Sequence, residues 1–451
     1  MNNQREQWGS RIGFILSATG SAIGLGNIWR FPYLVGENGG AAFIFVYLIC
    51  VFVIGLSLVI TEMIIGRTGQ KNPVGSFRAL SGGNPFWIGV GLLGVITGFL
   101  ILSYYNVIAG WSLGYVIESI KGSFQSLGKP EEAGILFQQF SSSTIWSVVY
   151  SAIFMSLTVV VIYFGVTKGI ELASKWMLPL LFFLLIVLVI RGITIDGAKA
   201  GILYLVKPNF SLITPRVVLV ALGQAFYSLS LGMGALLTYG SYLSKKENIP
   251  VCAISMVTLD VIVSLLSGFM IFPALFAMGL QPGQGIALLF NILPILFNTI
   301  PGGYFFRIIF FILICLAALT STISLLEVIV SFFVDEFNLK RKNVAIAVGS
   351  FVFLLGIPSA LSFGAWKDFQ FFHRTVFELA DFISSNVFLP VGGICMALFV
   401  GWFWGKDKVL SYVHEGSEGF KGWIVLIWMF IVRFVTPIMI LLVFLLLIGI
   451  L

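Results

Sequence analysis

The sequence predicts an all-α membrane protein of eleven transmembrane helices, arranged as a 5+5 inverted repeat in which helices 1 and 6 are unwound near mid-membrane. Two observations carry this. The 451 residues are 59% hydrophobic and 10% charged, and they fall into near-uncharged apolar runs about 20 residues long, the length that crosses a hydrocarbon core of about 30 Å. Two of those runs, five segments apart, are interrupted alike: GSAIGLGN (Gly20–Asn27) breaks the first and SLSLGMG (Ser228–Gly234) the sixth. Matching breaks in corresponding helices of two halves point to inverted repeats, and an odd number of helices per half reverses the topology of the second half.

In chain order the apolar runs centre near residues 24, 55, 103, 155, 180, 228, 262, 320, 352, 389 and 435. Only helices satisfy their own backbone in lipid as open structures, so each run reads as a helix. The expected division is a segment 1–10 before the first helix, a first repeat 11–192, a loop 193–215, a second repeat 216–404 and an appended eleventh helix in 405–451. The first run is too long for a signal-peptide core, and its N-terminus is expected to be retained. Gly82 to Phe86, Gly122 to Gly134 and Lys199 to Pro215 read as loops, and Gln281 to Gly303 as a short helical hairpin able to act as a lid. Gly169 and Pro179 in the fifth segment mark either an opening half-turn or a static kink, and base rates favour the kink.

Basic residues favour one set of loops: Arg5 and Arg11, Arg67, Lys71 and Arg78, Lys168 and Lys175, Lys245 and Lys246, Lys340 to Lys342, Lys406 and Lys408. That side, with the N-terminus, is expected in the cytoplasm of a cell carrying the protein in its plasma or inner membrane. Topology therefore explains the net charge of +7, and no stripe of basic and aromatic residues suggests nucleic acid. Cys50, Cys252, Cys315 and Cys395 lie singly in apolar runs, and His373 and His414 are far apart. With no nucleophile elbow, phosphate loop or zinc-binding helix, an enzyme is not expected.

An interrupted helix frees carbonyls that suit a hard cation and N–H groups that suit a carboxylate, so one break offers a site for a zwitterion and Na⁺. The bland reading, glycines for close helix packing, is weakened by the second break. Ionisable groups inside membrane segments are expensive, which singles out Glu62, Asp260 and Glu327. Asp260 is a candidate cation ligand, while Thr320 and Ser321 offer hydroxyls one turn from Ala317. Arg30 with Asp381, and Arg5 with Asp335, are candidate pairs closing the two mouths.

The runs GSAIGLGNIWRFPYLVGENGG, AFYSLSLGMGALLTYGSY and ALTSTISLLE resemble the neurotransmitter:sodium symporters, over nearly the whole chain, and are most similar to bacterial members that carry hydrophobic amino acids. The resemblance implies a LeuT-like fold and two Na⁺ sites. The first would use the carbonyl of Ala22 and the side chains of Asn27, Ser228 and Asp260, completed by the substrate carboxylate. The second would use the carbonyls of Gly20, Ile23 and Ala317 and the hydroxyls of Thr320 and Ser321. Substrate contacts would fall on Ala22, Leu25, Gly26, Ile101, Tyr105, Tyr227, Ser228, Ser230, Met233, Ser321 and Leu325. Tyr105 would bond the carboxylate and Tyr227 would roof the pocket. Gly24 stands where amine carriers of the family place an Asp, which argues for amino acids. Met233 replaces a Phe, and a flexible thioether accommodates apolar groups of different shape. Asp260 supplies a fixed negative charge where chloride-dependent members have Asn, and Ser264 stands where the leucine transporter is acidic, so no chloride requirement is expected. The Gly169–Pro179 spacing matches a family motif for unwinding helix 5.

The expected activity is therefore Na⁺-coupled import of aliphatic and aromatic L-amino acids by alternating access, with two Na⁺ per substrate. The alternatives are a proton-coupled carrier of the same fold, with Asp260 or Glu62 carrying the proton, and a sensor that binds an amino acid without moving it.

Overall fold

The computed structural model of the protein describes residues 5–279, 288–416 and 422–451. Among the described residues nine helices are long and apolar enough to cross a bilayer, and a tenth crossing is a bent pair. The first segment is that pair: α1 (Arg11–Ala22) and α2 (Gly26–Glu37) meet at 56°. The single crossings α3 (Ala41–Gly69), α4 (Pro85–Lys121), α5 (Thr144–Tyr163) and α6 (Val166–Ile193) complete the first half. The sixth segment divides into α7 (Pro215–Ser228) and α8 (Ala235–Gly240), each too short to span alone. Then come α9 (Ile249–Ala277), α10 (Gly303–Phe337), α11 (Arg341–Leu361), α12 (Val376–Phe403) and α13 (Gly422–Leu447). Among the described residues, breaks separate α1 from α2 in the first segment and α7 from α8 in the sixth.

Local chemistry sets the helix starts. Ser10 Oγ accepts Gly13 N at 3.0 Å ahead of α1. Thr214 and Asn248 cap Val217 N and Val251 N at 3.3 and 3.0 Å, with a proline in each first turn whose missing N–H needs no partner. The sixth-segment break is made by backbone that only small residues tolerate well: Ser230 at φ +54°, Gly232 at +88° and Gly234 at +76°. The core is continuous through the bundle, with α4 and α10 packed together along their length.

Some expected loops are partly helical. Pro130–Ser142 begins inside the stretch expected to be a loop, and Lys199–Val206 is a helix followed by a turn at Phe210–Leu212. A two-stranded hairpin, Gln370–Phe371 with Arg374–Thr375, was not anticipated; Phe372 and His373 take the positive-φ turn positions where sequence rules look for Asn-Gly. Of the expected lid, residues 281–287 lie outside the described residues, while Leu293–Asn298 is helical. Helix α6 runs from Val166 to Ile193, with Gly169 in its π-helical first stretch (Val166–Glu171) and Pro179 inside the helix that follows. An added Cβ at Gly169 would stand 2.0 Å from Val161 O, so the start of α6 packs closely on the end of α5 at this glycine.

Candidate functional site

The two breaks lie against each other, and side chains from other helices satisfy many of the backbone groups they expose. Ser230 Oγ donates to Ser21 O at 2.9 Å, tying the sixth-segment break to the first. Gln224 Nε2 donates to Gly26 O at 3.2 Å, and Gly232 N donates to the buried Glu62 carboxylate at 2.7 Å. Glu62 thus caps a backbone N–H of the sixth-segment break at bilayer depth.

Beside the first break is a cluster of oxygens. Asn27 Nδ2 lies 2.7 Å from Asp260 Oδ1, 2.9 Å from Ser228 Oγ, 2.9 Å from Ser264 Oγ and 3.5 Å from Asp260 O. Ser228 Oγ donates to the other carboxylate oxygen at 2.8 Å. Four acceptors face an amide with two hydrogens, and all of these groups are buried. A set of hard oxygen donors around one carboxylate suits an alkali cation, and turning the Asn27 amide over would bring its Oδ1, now accepting Gly24 N at 3.1 Å, into the set.

A second cluster joins the break to α10. Thr320 Oγ1 and Ser321 Oγ each donate to Ile23 O at 3.3 Å, and both also reach Ala317 O, at 2.9 and 3.3 Å. Gly20 is one helical turn before Ile23, and a Cβ there would meet Thr320 at 3.2 Å. These donors are all neutral: the cluster contains no carboxylate.

Between the clusters is a cavity of about 50 Å³. Its walls include Ala22, Leu25, Gly26, Ile101, Tyr105, Tyr227, Ser228, Ser230, Met233, Ser321 and Leu325, so every substrate contact implied by the resemblance borders one space. Gly24 and Leu389 line it too. Tyr105 OH accepts Leu25 N at 3.2 Å, placing a phenol beside the freed backbone. The glycines are sterically required: a Cβ at Gly26 would stand 2.9 Å from the Tyr227 ring and one at Gly24 2.6 Å from Ser321 Oγ.

The two mouths differ. At the end where the basic loops gather, Arg5 Nη1 pairs with Asp335 at 2.5 Å, and the same guanidinium reaches Ser241 Oγ at 2.7 Å and lies 4.5 Å from the Tyr242 ring centre. Tyr242 OH donates to Glu327 at 2.5 Å, and Glu327 pairs with Arg341, which accounts for the third buried carboxylate. At the other end the expected Arg30–Asp381 pair does not form among the described residues. Arg30 instead lies 4.1 Å over the Tyr227 ring, and Asp381 accepts Tyr104 OH at 3.0 Å and Ser385 Oγ at 2.9 Å. The hydroxyls nearest Asp381 satisfy the carboxylate, and the ring face satisfies the guanidinium.

Sequence reasoning missed a reciprocal arrangement at the basic end. Glu171, near the start of α6, accepts Gly9 N at 2.7 Å and Ser10 Oγ at 2.9 Å at the start of α1. Glu6, just before α1, accepts Val166 N at 2.8 Å, the first N–H of α6. Glu6 thus caps the start of α6, while Glu171 holds Ser10, the residue whose hydroxyl caps α1. Gln224 was also missed, although a buried amide inside an apolar segment was a visible signal; for Leu389 no polar signal existed.

The comparisons with known proteins agree with this geometry. The model of the Sodium:neurotransmitter symporter family matches residues 5–127 and 138–450. The uncharacterized sodium-dependent transporter YhdH of Bacillus subtilis is 42% identical over 445 residues, covering 99% of this chain and 98% of that protein. The Sodium- and chloride-dependent GABA transporter ine of Drosophila melanogaster is 25% identical over 91% of this chain and 48% of its own length. The crystal structure of MhsT in complex with L-phenylalanine is 47% identical, with a TM-score of 0.89 over 98% of this chain and 99% of that one. With broken first and sixth segments, oxygen clusters at the first break and a family match along nearly its whole length, the chain belongs to the sodium:neurotransmitter symporter family.

Proposed function

We propose that the protein carries two Na⁺ with one hydrophobic L-amino acid across the membrane by alternating access, without chloride, with its basic end in the cytoplasm. The observation that carries this is the position of the cavity between two oxygen clusters that share one helix break: whatever occupies the cavity touches the elements that would hold both ions. The similarity to a transporter crystallised with L-phenylalanine supports a substrate of that kind.

Asp260 gives the first ion a fixed counter-charge, and the substrate carboxylate, beside Tyr105 OH and the N–H of Leu25, would complete its shell. The all-neutral second cluster would hold the second ion between α1 and α10, so its loss would free α1. Ile101, Met233 and Leu325 give apolar walls for the substrate side chain. A carboxylate already in the first cluster supplies the negative charge for which other members use chloride. The Arg5–Asp335 pair would then be the closed cytoplasmic mouth, and Arg30 over Tyr227 the roof on the opposite side.

The test is accumulation of labelled phenylalanine, leucine and serine by purified protein in proteoliposomes under an inward Na⁺ gradient, with gluconate replacing chloride in one arm. Phenylalanine and leucine should accumulate in both salts, and serine should not. Uptake driven by a pH gradient without Na⁺ would establish a proton-coupled carrier instead, and binding without accumulation a sensor.

A further inference from the structure

Resting on the proposal that hydrophobic amino acids are carried, we infer that Leu389 of α12 sets the upper size limit for the substrate side chain. Among the described residues, Leu389 and the roof residue Tyr227 border both the central cavity and a smaller cavity of about 20 Å³ lined by Arg30, Ser385 and Ile440. Leu389 is 4% exposed and is the apolar member of that pair.

Three observations make this residue a limit rather than a passive contact. The central cavity, about 50 Å³, is too small for an aromatic ring, since an apolar cavity of about 150 Å³ is the scale that takes benzene. A large substrate must therefore displace a wall. The backbone of α12 is seated directly on the sixth-segment break: a Cβ at Gly232 would stand 2.3 Å from Leu389 O, and one at Gly392 2.3 Å from Gly232 O. With the two backbones in contact, the Leu389 backbone is held in place beside the cavity, and on the α12 side the room for a larger substrate is set by the Leu389 side chain. Finally, the π-helical stretch Phe382–Phe388 ends immediately before Leu389, and the extra residue per turn alters which face of α12 meets the cavity from this point on. Met233, on the sixth-segment break, adapts by rotating its thioether; Leu389 is branched and has fewer ways to yield.

The test is calorimetric binding of L-valine, L-leucine, L-phenylalanine and L-tryptophan to purified full-length protein in Na⁺ buffer, for the wild type, Leu389→Ala and Leu389→Phe. Leu389→Ala joins the two cavities and should raise the tryptophan-to-valine affinity ratio at least tenfold; Leu389→Phe should lower it by a similar factor. Equal weakening of all four ligands, ratios within twofold of wild type in both variants, or shifts in the same direction in both would overturn the inference. Leu389→Phe and Leu389→Val, ranked by the same ratio, keep the test decisive should the alanine variant not fold. A wild type that binds none of the four in Na⁺ would overturn the proposed function and this inference together.

Discussion

Replacing Glu171 by Ala should loosen two helices at once. Its carboxylate, whose side chain is 1% exposed, accepts Gly9 N at 2.7 Å and Ser10 Oγ at 2.9 Å and pairs with Lys175 at 2.7 Å. A hydrogen bond to a charged group contributes about 1.5–3 kcal/mol, and with water refilling one of the two positions the net loss is about 2 kcal/mol. At 1.4 kcal/mol per tenfold, that is about a 30-fold increase in the population in which the start of α1 is detached. Because Glu6 enters α6 from the same segment, detachment also uncaps Val166 N. Amide hydrogen exchange followed by mass spectrometry should therefore show about 30-fold faster exchange both in residues 11–16 and at the first turn of α6. Glu6→Ala should speed exchange at the α6 start more than at α1. Lys175→Ala, which removes only a half-exposed ion pair worth about 0–1 kcal/mol, should change either region little. Exchange in Glu171→Ala confined to α1, with the α6 start protected as in wild type, would refute the coupling.

Other outcomes follow from the site. Asp260→Asn removes the sole carboxylate of the first cluster and should raise the Na⁺ concentration for half-maximal substrate binding at least tenfold, measured by Na⁺ titration at fixed amino acid. Gly26→Ala puts a Cβ 2.9 Å from the Tyr227 ring and should abolish detectable substrate binding while the melting temperature in detergent stays within a few degrees. Arg30→Ala removes the guanidinium 4.1 Å above that ring. A cation–π contact contributes about 0.5–2 kcal/mol, so substrate dissociation in a rapid-dilution assay should accelerate by about 2- to 30-fold.

What was legible in the sequence follows from how each feature is encoded. Apolar runs are set by the bilayer and show in composition, so the crossings were readable. The breaks were readable because glycines and hydroxyls in an apolar helix are locally anomalous. The two oxygen clusters were suggested by residue type and placed by resemblance. The expected charge pairs were only half legible: Arg5–Asp335 forms, whereas Asp381 finds Tyr104 and Ser385, competitors from within the bundle that chain position does not reveal. The contacts of Glu6 and Glu171 were illegible because these partners are about 160 residues away and two of the three are backbone N–H groups, which carry no sequence signature. Leu389 was invisible for a different reason. One leucine among many becomes distinctive only when the packing of Gly232 on α12 places it beside the cavity.

The hydrogen bonds that hold the breaks open come from Ser230, Gln224, Glu62, Thr320 and Ser321, and of the cavity's apolar walls, Ile101, Met233, Leu325 and Leu389, none contributes a side-chain polar atom to them. Ser230 and Ser321 belong to both the framework and the cavity lining, but the apolar walls are positions separate from the framework. A lineage can exchange one apolar wall for another, and so acquire a new diet, while the scaffold that makes transport possible stays untouched.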